Sequence, residues 1–325
     1  MKRTSLALLA VITLAGCTGP GPQPTPVATP PPKPGLQLAM QAWTFNNLTF
    51  LEAVERTAAL GVKLIEAFPG QKIGGDIEGS MTPDLEAAQR AQVLAKLKAA
   101  GVTLVNFGVA NAGDEAEWRK LFDFAKAMGI ATIVSEPNAA QMELVDKLCA
   151  EYKINIAIHN HPKESPYWNP EIVLAAVKDR SRRLGACADT GHWLRSGLDP
   201  LACLKQLEGR IVSLHLKDLS WKGPNAHDVP WGTGVSHMPA MLAELKRQKF
   251  SGVVSIEYEN NNPELMSNVA RCVAYFKACA PLSAPDLLLH KALVPGMSRD
   301  PADVWKQMKP ADDGKWTTNN PAAQP

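Results

Sequence analysis

Two rhythms of apolar residues alternate along most of the chain. Short, mostly apolar runs suit strands buried on both faces. Longer stretches with apolar residues at three- and four-residue spacing suit helices packed against them. The runs predict strands over Leu36–Phe45, Lys63–Phe68, Thr103–Val109, Ala131–Ser135, Ile154–Ile158, Leu184–Ala188, Ile211–Leu216 and Val253–Tyr258. Between and after them the spacing predicts helices over Leu48–Leu60, Pro83–Ala100, Asp114–Met128, Ala140–Tyr152, Pro170–Lys178, Pro200–Leu207, Met238–Gln248 and Pro263–Ala280. Helix punctuation agrees, with Pro83 near a start and Gly61, Gly101 and Gly129 just past three ends. Eight strand-then-helix units in this order fit an α/β chain closed into a (β/α)8 TIM barrel over residues 36–280. An open doubly wound sheet usually carries a glycine-rich phosphate loop after its first strand. Here that position reads Trp43-Thr44-Phe45-Asn46-Asn47.

The pattern differs at both ends. Residues 1–17 read MKRTSLALLAVITLAGC, with Lys2 and Arg3 ahead of an apolar run from Leu6 to Leu14. That run is shorter than the ~20 residues a bilayer span needs, and it reads as a secretory signal. Leu14-Ala15-Gly16-Cys17 resembles the bacterial lipobox, which implies lipidation at Cys17 and a lipid-anchored protein of the cell envelope. Eight of the fifteen residues from Pro20 to Pro34 are proline, so residues 18–35 read as an extended linker. Residues 281–325 are rich in Pro, Asn and Asp and read as a C-terminal extension.

Composition narrows the class. The 325 residues are 46% hydrophobic, enough for a large core, and carry 34 Lys+Arg against 32 Asp+Glu. A formal charge of +2 argues against a nucleic-acid binder that relies on a global basic field. Apart from Cys17, the cysteines lie at positions 149, 187, 203, 272 and 279, with no CxxC spacing and no disulfide framework.

Polar residues collect where the strands end, the side on which barrels of this kind build their active sites. Glu66 ends the second strand and Glu136 the fourth. His159-Asn160-His161 ends the fifth, Asp189-Thr190-Gly191-His192 the sixth, His215-Leu216-Lys217-Asp218 the seventh and Glu257-Tyr258-Glu259 the eighth. A divalent cation bound by mixed carboxylate and imidazole needs three or four such ligands with positions left open. Glu136, Asp189, His215 and Glu257 supply them, with His159 or His161 as a further ligand. Mn, Co, Zn and Mg all suit a mixed oxygen and nitrogen set of this kind. Each residue also has a plainer reading: Glu136 before Pro137 can cap a helix, Lys217 and Asp218 can pair at the surface, and Glu259 can be simply exposed. There is no GxSxG elbow and no HExxH helix.

The stretches IAIHNH, ADTGHW, SLHLKD and SIEYE resemble the xylose isomerase-like barrels, which include sugar isomerases and epimerases, inosose dehydratases and endonuclease IV. The resemblance covers roughly residues 36–280. It implies that Asp189 and His215 bind metal, that His192 touches substrate or metal, and that Glu257 is both ligand and acid/base. It also implies that the segment from His227 and Asp228 to Gly234, with Trp231, closes over substrate. The epimerases carry a second glutamate on the fifth strand, where this chain has His159-Asn160-His161; Glu136 or His159 then stands as the counterpart of Glu257. Glu66, His192 and Lys217 are expected to hold the sugar, and Trp43, Trp193 and Trp231 to offer flat faces for stacking. The implied activity is metal-dependent isomerisation or epimerisation of a sugar by proton abstraction beside a carbonyl. Elimination or hydration of a keto sugar on the same site is the alternative, and a non-catalytic sugar-binding lipoprotein is a further one. Export favours unphosphorylated substrates. The expected partners are a small sugar and, through the anchor alone, a membrane, with no nucleic acid.

Overall fold

The structure is a computed structural model that describes residues 35–289. The signal with Cys17, the linker up to Pro34 and the extension from His290 onward lie outside the described residues. Eight strands run parallel around one barrel: β1 (Gln37–Gln41), β2 (Leu64–Ala67), β3 (Thr103–Phe107), β4 (Thr132–Ser135), β5 (Asn155–His159), β6 (Leu184–Asp189), β7 (Ile211–Leu216) and β8 (Val253–Ile256). Each strand pairs with its sequence neighbours, and β1 closes the ring on β8. This is the (β/α)8 barrel that the alternating rhythms predict.

The outer layer follows the same order. It comprises α1 (Phe50–Ala59), α2 (Ala87–Ala100), α3 (Glu115–Met128), α4 (Met142–Tyr152), α5 (Pro170–Val177), α6 (Thr190–Arg195), α7 (Pro200–Gln206), α8 (Met238–Arg247) and α9 (Leu265–Cys279). A short α10 (Ala284–Leu289), within the predicted extension, packs on α8 and buries Leu287. The largest apolar cluster lies between strands and helices and includes Ile65, Phe107, Trp118, Phe122, Leu148, Leu214 and Val254. A small separate cluster of Val134, Ala157 and Cys187 packs with Val212. No helix among the described residues is long and apolar enough to cross a membrane.

Local chemistry explains where elements begin and stop. Thr49 and Glu52 form a reciprocal capping box at the start of α1. Gly101 closes α2 in the left-handed region at φ 64°, where a side chain would cost energy. The first predicted strand is too long. After Gln41 the chain turns into a 3-10 segment, Ala42–Phe45, because the Gln41 side chain accepts from the Trp43 N–H at 3.1 Å. Not predicted were the helices α6 and α10, a hairpin pairing Lys72–Gly74 with Ile77–Ser80, and a small ladder pairing Asp218–Leu219 with Asp228–Val229.

Strand register decides which side chains meet. Gln41 lies opposite Glu66, and Glu66 opposite Asn106. His215 lies opposite both Asp189 and Ser255. Polar residues from most of the strands therefore form one layer at the carboxyl end of the barrel.

Candidate metal centre

Four buried side chains converge there. Ligand atoms of His159, Asp189, His215 and Glu257, each on or just past a different strand, lie within 4.8 Å of one another. Glu257 Oε2 is 3.1 Å from His215 Nδ1, and Asp189 Oδ2 is 3.6 Å from His159 Nε2. Both ring nitrogens are buried and lack a hydrogen-bond partner.

The far nitrogens of the same rings are occupied. His215 Nε2 is 2.9 Å from Glu66 Oε1, and His159 Nδ1 is 3.4 Å from Glu136 Oε1. A carboxylate only accepts, so each ring donates outward, and its inner nitrogen is the one that would give up a proton to take a cation. Carboxylate-backed imidazoles facing further carboxylates are the arrangement that ligates a divalent cation. The donor set thus fits such an ion. The electrostatics point the same way. Burial disfavours a charged His215, yet the Glu257 and Glu66 carboxylates hold its pKa well above the usual imidazole range. Burial likewise opposes the Glu257 anion, but His215 and Lys217 hold its pKa far below the ordinary value. The centre of the cluster favours positive charge.

Glu66 was expected at the substrate; the structure corrects this. It is fully buried and accepts from Gln41 Nε2 at 3.0 Å, Asn106 Nδ2 at 3.2 Å and Ser255 Oγ at 2.9 Å, besides His215. These four donors use its lone pairs, leaving none for a sugar hydroxyl. Lys217, also expected to hold sugar, is fully buried instead. Its ammonium lies 2.6 Å from Asp189 Oδ2, 2.5 Å from Glu257 Oε2 and 3.3 Å from Glu259 Oε2. It braces the carboxylates from beneath. Gly191 makes room for it, since a Cβ there would come within 2.6 Å of Lys217 Cδ.

Glu136 joins a second group with His159 and His161. Its Oε1 touches Nδ1 of both rings. Burial works against the anion, but the hydrogen bonds from the two histidines lower its pKa to about 2. Of the two fifth-strand histidines, His159 is buried among the four converging ligands, and His161 is half-exposed at the rim.

His192 lines the cleft above Asp189. Burial keeps its pKa well below the usual value, so the ring is neutral near pH 7. Arg195 Nη1 sits 3.2 Å from its Nδ1 and can only donate, which leaves the ring proton on Nε2. Arg195 is itself held by Asp228 at 2.8 Å and Glu259 at 2.6 Å. Asp228 is therefore a brace for Arg195, not a substrate contact. Burial raises its carboxyl pKa to about 7 against the pull of Lys217 and Arg195. His227 points away, exposed beside Ser220. Trp231 and Trp193 are 3% and 1% exposed and belong to the core, so neither offers a stacking face. Asp218 organises the loop from Pro230 to Ser236 by accepting from the Gly232, Gly234 and Ser236 N–H groups.

A cleft of about 260 Å³ opens above the cluster. One wall is polar, with His159, His161, His192, Glu257 and Glu259; the other is apolar, with Trp43, Phe68, Pro69 and Val109. Trp43 is 42% exposed and packs edge-on against Phe68. The sequence reading missed Gln41, Ser255 and Arg195. Arg195 had a visible cue, its place three residues after His192 on one helix face.

The comparisons with known proteins agree with this geometry. The family model described as xylose isomerase-like TIM barrel matches residues 54–278. A putative uncharacterized protein from Parabacteroides distasonis is 36% identical, with a TM-score of 0.63 over 75% of this chain and 99% of its own. Two more distant structures share the fold. A D-allulose 3-epimerase from Methylomonas is 15% identical, with a TM-score of 0.57 over 77% and 99% of the two chains. The probable 3-DHS dehydratase AsbF of petrobactin synthesis from Bacillus anthracis is 15% identical, with a TM-score of 0.56 over 74% and 98%. Among curated proteins, none matches the chain. The eight-stranded barrel, the buried His/Asp/Glu cluster at its carboxyl end and the family match agree: the chain belongs to the xylose isomerase-like TIM barrel family.

Proposed function

We propose that the protein is a metal-dependent enzyme of the isomerase and epimerase type that removes a proton beside the carbonyl of an unphosphorylated sugar. The observation that carries this is the pair of inward ring nitrogens of His159 and His215, buried without a hydrogen-bond partner and facing Asp189 and Glu257 beneath an open cleft. A divalent cation held by these four residues would act as a Lewis acid on a carbonyl or hydroxyl oxygen.

The chain's own residues supply the rest. Glu257 lines the cleft, and its Oε2 is tied to Lys217. The other oxygen is left to take the proton from carbon. Because Lys217 also bonds Asp189, the base is held at a fixed distance from the ligand set. His192, neutral with its proton on Nε2, donates to a sugar hydroxyl. His161 turns Nδ1 to Glu136, which leaves Nε2 for proton delivery to a substrate in the cleft that the ring lines. Trp43 and Phe68 give the C–H face of a sugar an apolar surface and exclude water. No Lys or Arg lines the cleft, while Glu257 and Glu259 do, so a phosphoryl group would meet carboxylates and no basic side chain. This supports a neutral substrate.

The His161–Glu136 pair also favours a second reading. An imidazole there can protonate a departing oxygen, so that abstraction by Glu257 ends in elimination from a 3-keto sugar or keto-glycoside. Incubation of metal-loaded protein with free and 3-keto sugars in D2O, followed by NMR, tests both. Deuterium on carbon with the skeleton intact supports isomerisation, and an unsaturated product supports elimination. Glu257→Gln is expected to lose exchange by at least about 100-fold while its melting curve stays cooperative. Sugar binding with neither metal uptake nor exchange would replace the enzyme with a binding protein.

A further inference from the structure

The end of the barrel opposite the cleft carries a second chemical feature. A (β/α)8 barrel places every helix-to-strand junction on one face, and here lysines gather in the last helical turns and in several of the junctions that follow them. Lys63, Lys98, Lys153, Lys178, Lys249 and Lys277 are all exposed there, and none forms an ion pair among the described residues. The acids nearby are few and partly spent. Glu208 and Glu244 pair with Arg247, Glu151 pairs with Arg119, and Asp146 and Asp286 accept from Ser181 and Ser283. The formal charge of +2 over the whole chain therefore conceals a molecule with a basic base and an acidic mouth.

Helix dipoles alone do not account for this. Basic residues are favoured inside the last turn of a helix, but Lys63 and Lys249 lie beyond the ends of α1 and α8. Lys153 and Lys249 also occupy left-handed backbone, at φ 59° and 55°, where glycine or asparagine would be less strained. Lys277 lies close enough to Lys63 for the two like charges to oppose each other; burial and this repulsion lower the Lys277 pKa. Such a face lacks its counter-anion.

The chain itself indicates which one. Gly35 and Leu36 lead into β1 at this same end, beside Lys246, Lys249, Phe250 and Ser251 around a cavity of about 400 Å³. The segment with the apolar run Leu6–Leu14 and Cys17 thus joins the barrel on its basic face. We propose that a lipid on Cys17 anchors the protein and that this basic face lies against an anionic phospholipid surface, directing the cleft away from the membrane. The anchor keeps the face at high local concentration near the headgroups, so individually weak contacts suffice. A lysine close to an anionic surface contributes about fivefold in binding, and the effect is screened beyond ~8 Å at physiological salt.

The test uses the full chain on two vesicle types, pure phosphatidylcholine and a 3:1 mixture with phosphatidylglycerol. Binding to the neutral vesicles reports the anchor, and the gain on the mixed vesicles reports the face. We expect a gain of at least about tenfold that disappears in ~0.5 M salt. A variant combining Lys63→Gln, Lys153→Asn, Lys249→Asn and Lys277→Gln should lose the gain and keep both neutral-vesicle binding and metal uptake. No gain on the anionic vesicles, or an equal gain in the variant, overturns the proposal. A polyanion such as heparin bound tightly while the vesicle gain is absent would also overturn it, in favour of a soluble anionic partner.

Discussion

His215 and His159 each have one ring nitrogen committed and one free. Glu66 and Glu136 hold the committed nitrogens, and the free ones face Asp189 and Glu257. The orientation of both rings thus depends on residues outside the four converging side chains. Glu66 is the more rigid of the two backing groups, since Gln41, Asn106 and Ser255 fix both its oxygens. Glu66→Gln keeps the size but weakens the acceptor opposite His215. Affinity for Mn2+, measured by calorimetric titration, is expected to fall about 10–100-fold, the usual effect of losing such a partner. The melting temperature of the metal-free variant should change far less. Unaltered affinity would mean that Glu66 does not orient His215.

Elements position these residues through their ends. α6 begins directly after β6 because the Asp189 carboxylate accepts the His192 N–H at 2.8 Å. One oxygen of Asp189 caps the helix while the other serves the cluster, so the position of His192 follows from that of Asp189. At the far side of the barrel, α1 is started by a box that does no chemistry. Thr49 N–H donates to Glu52 Oε2 at 2.8 Å, and Glu52 N–H points back to Thr49 Oγ1. Thr49→Ala should cost about 1 kcal/mol. In a domain of this size that lowers the melting temperature by about 2–4 °C, seen by calorimetry. Metal affinity should stay the same, because α1 contributes no residue to the cluster.

At the scale of the whole molecule, the core is closed around its thiols. Cys149, Cys187, Cys203, Cys272 and Cys279 are all free and buried. Burial raises the Cys149 and Cys203 pKa values to about 12. A raised thiol pKa means less thiolate, roughly one part in ten thousand at pH 8, and the thiolate is the reactive form. The folded protein at pH 8 is therefore expected to take up no maleimide on these five residues, and the denatured protein to take up five equivalents, counted by mass spectrometry. Labelling of Cys203 in the native state would show that α7 opens. A sixth equivalent after denaturation would place a free thiol at Cys17, against its lipidation. The same closed packing separates the two charged ends, with cation-seeking carboxylates at the mouth and lysines at the base.

The amino-acid sequence alone determined the barrel, because a buried parallel strand and its covering helix differ in apolar period and that period needs no partner to be read. It also determined which strand ends hold Asp189, His215, Glu257 and the two fifth-strand histidines. Tertiary structure decided what each polar residue faces. Glu66, Lys217 and Asp228 stand beside substrate-like neighbours in the chain, yet they turn to His215, to Asp189 and Glu257, and to Arg195. Their partners lie up to 149 positions away and are selected by strand register. Linear spacing carries no information on that register. Trp231 and His227 show the same limit: one loop places the first in the core and the second in water, and only the packing of α9 against that loop distinguishes them.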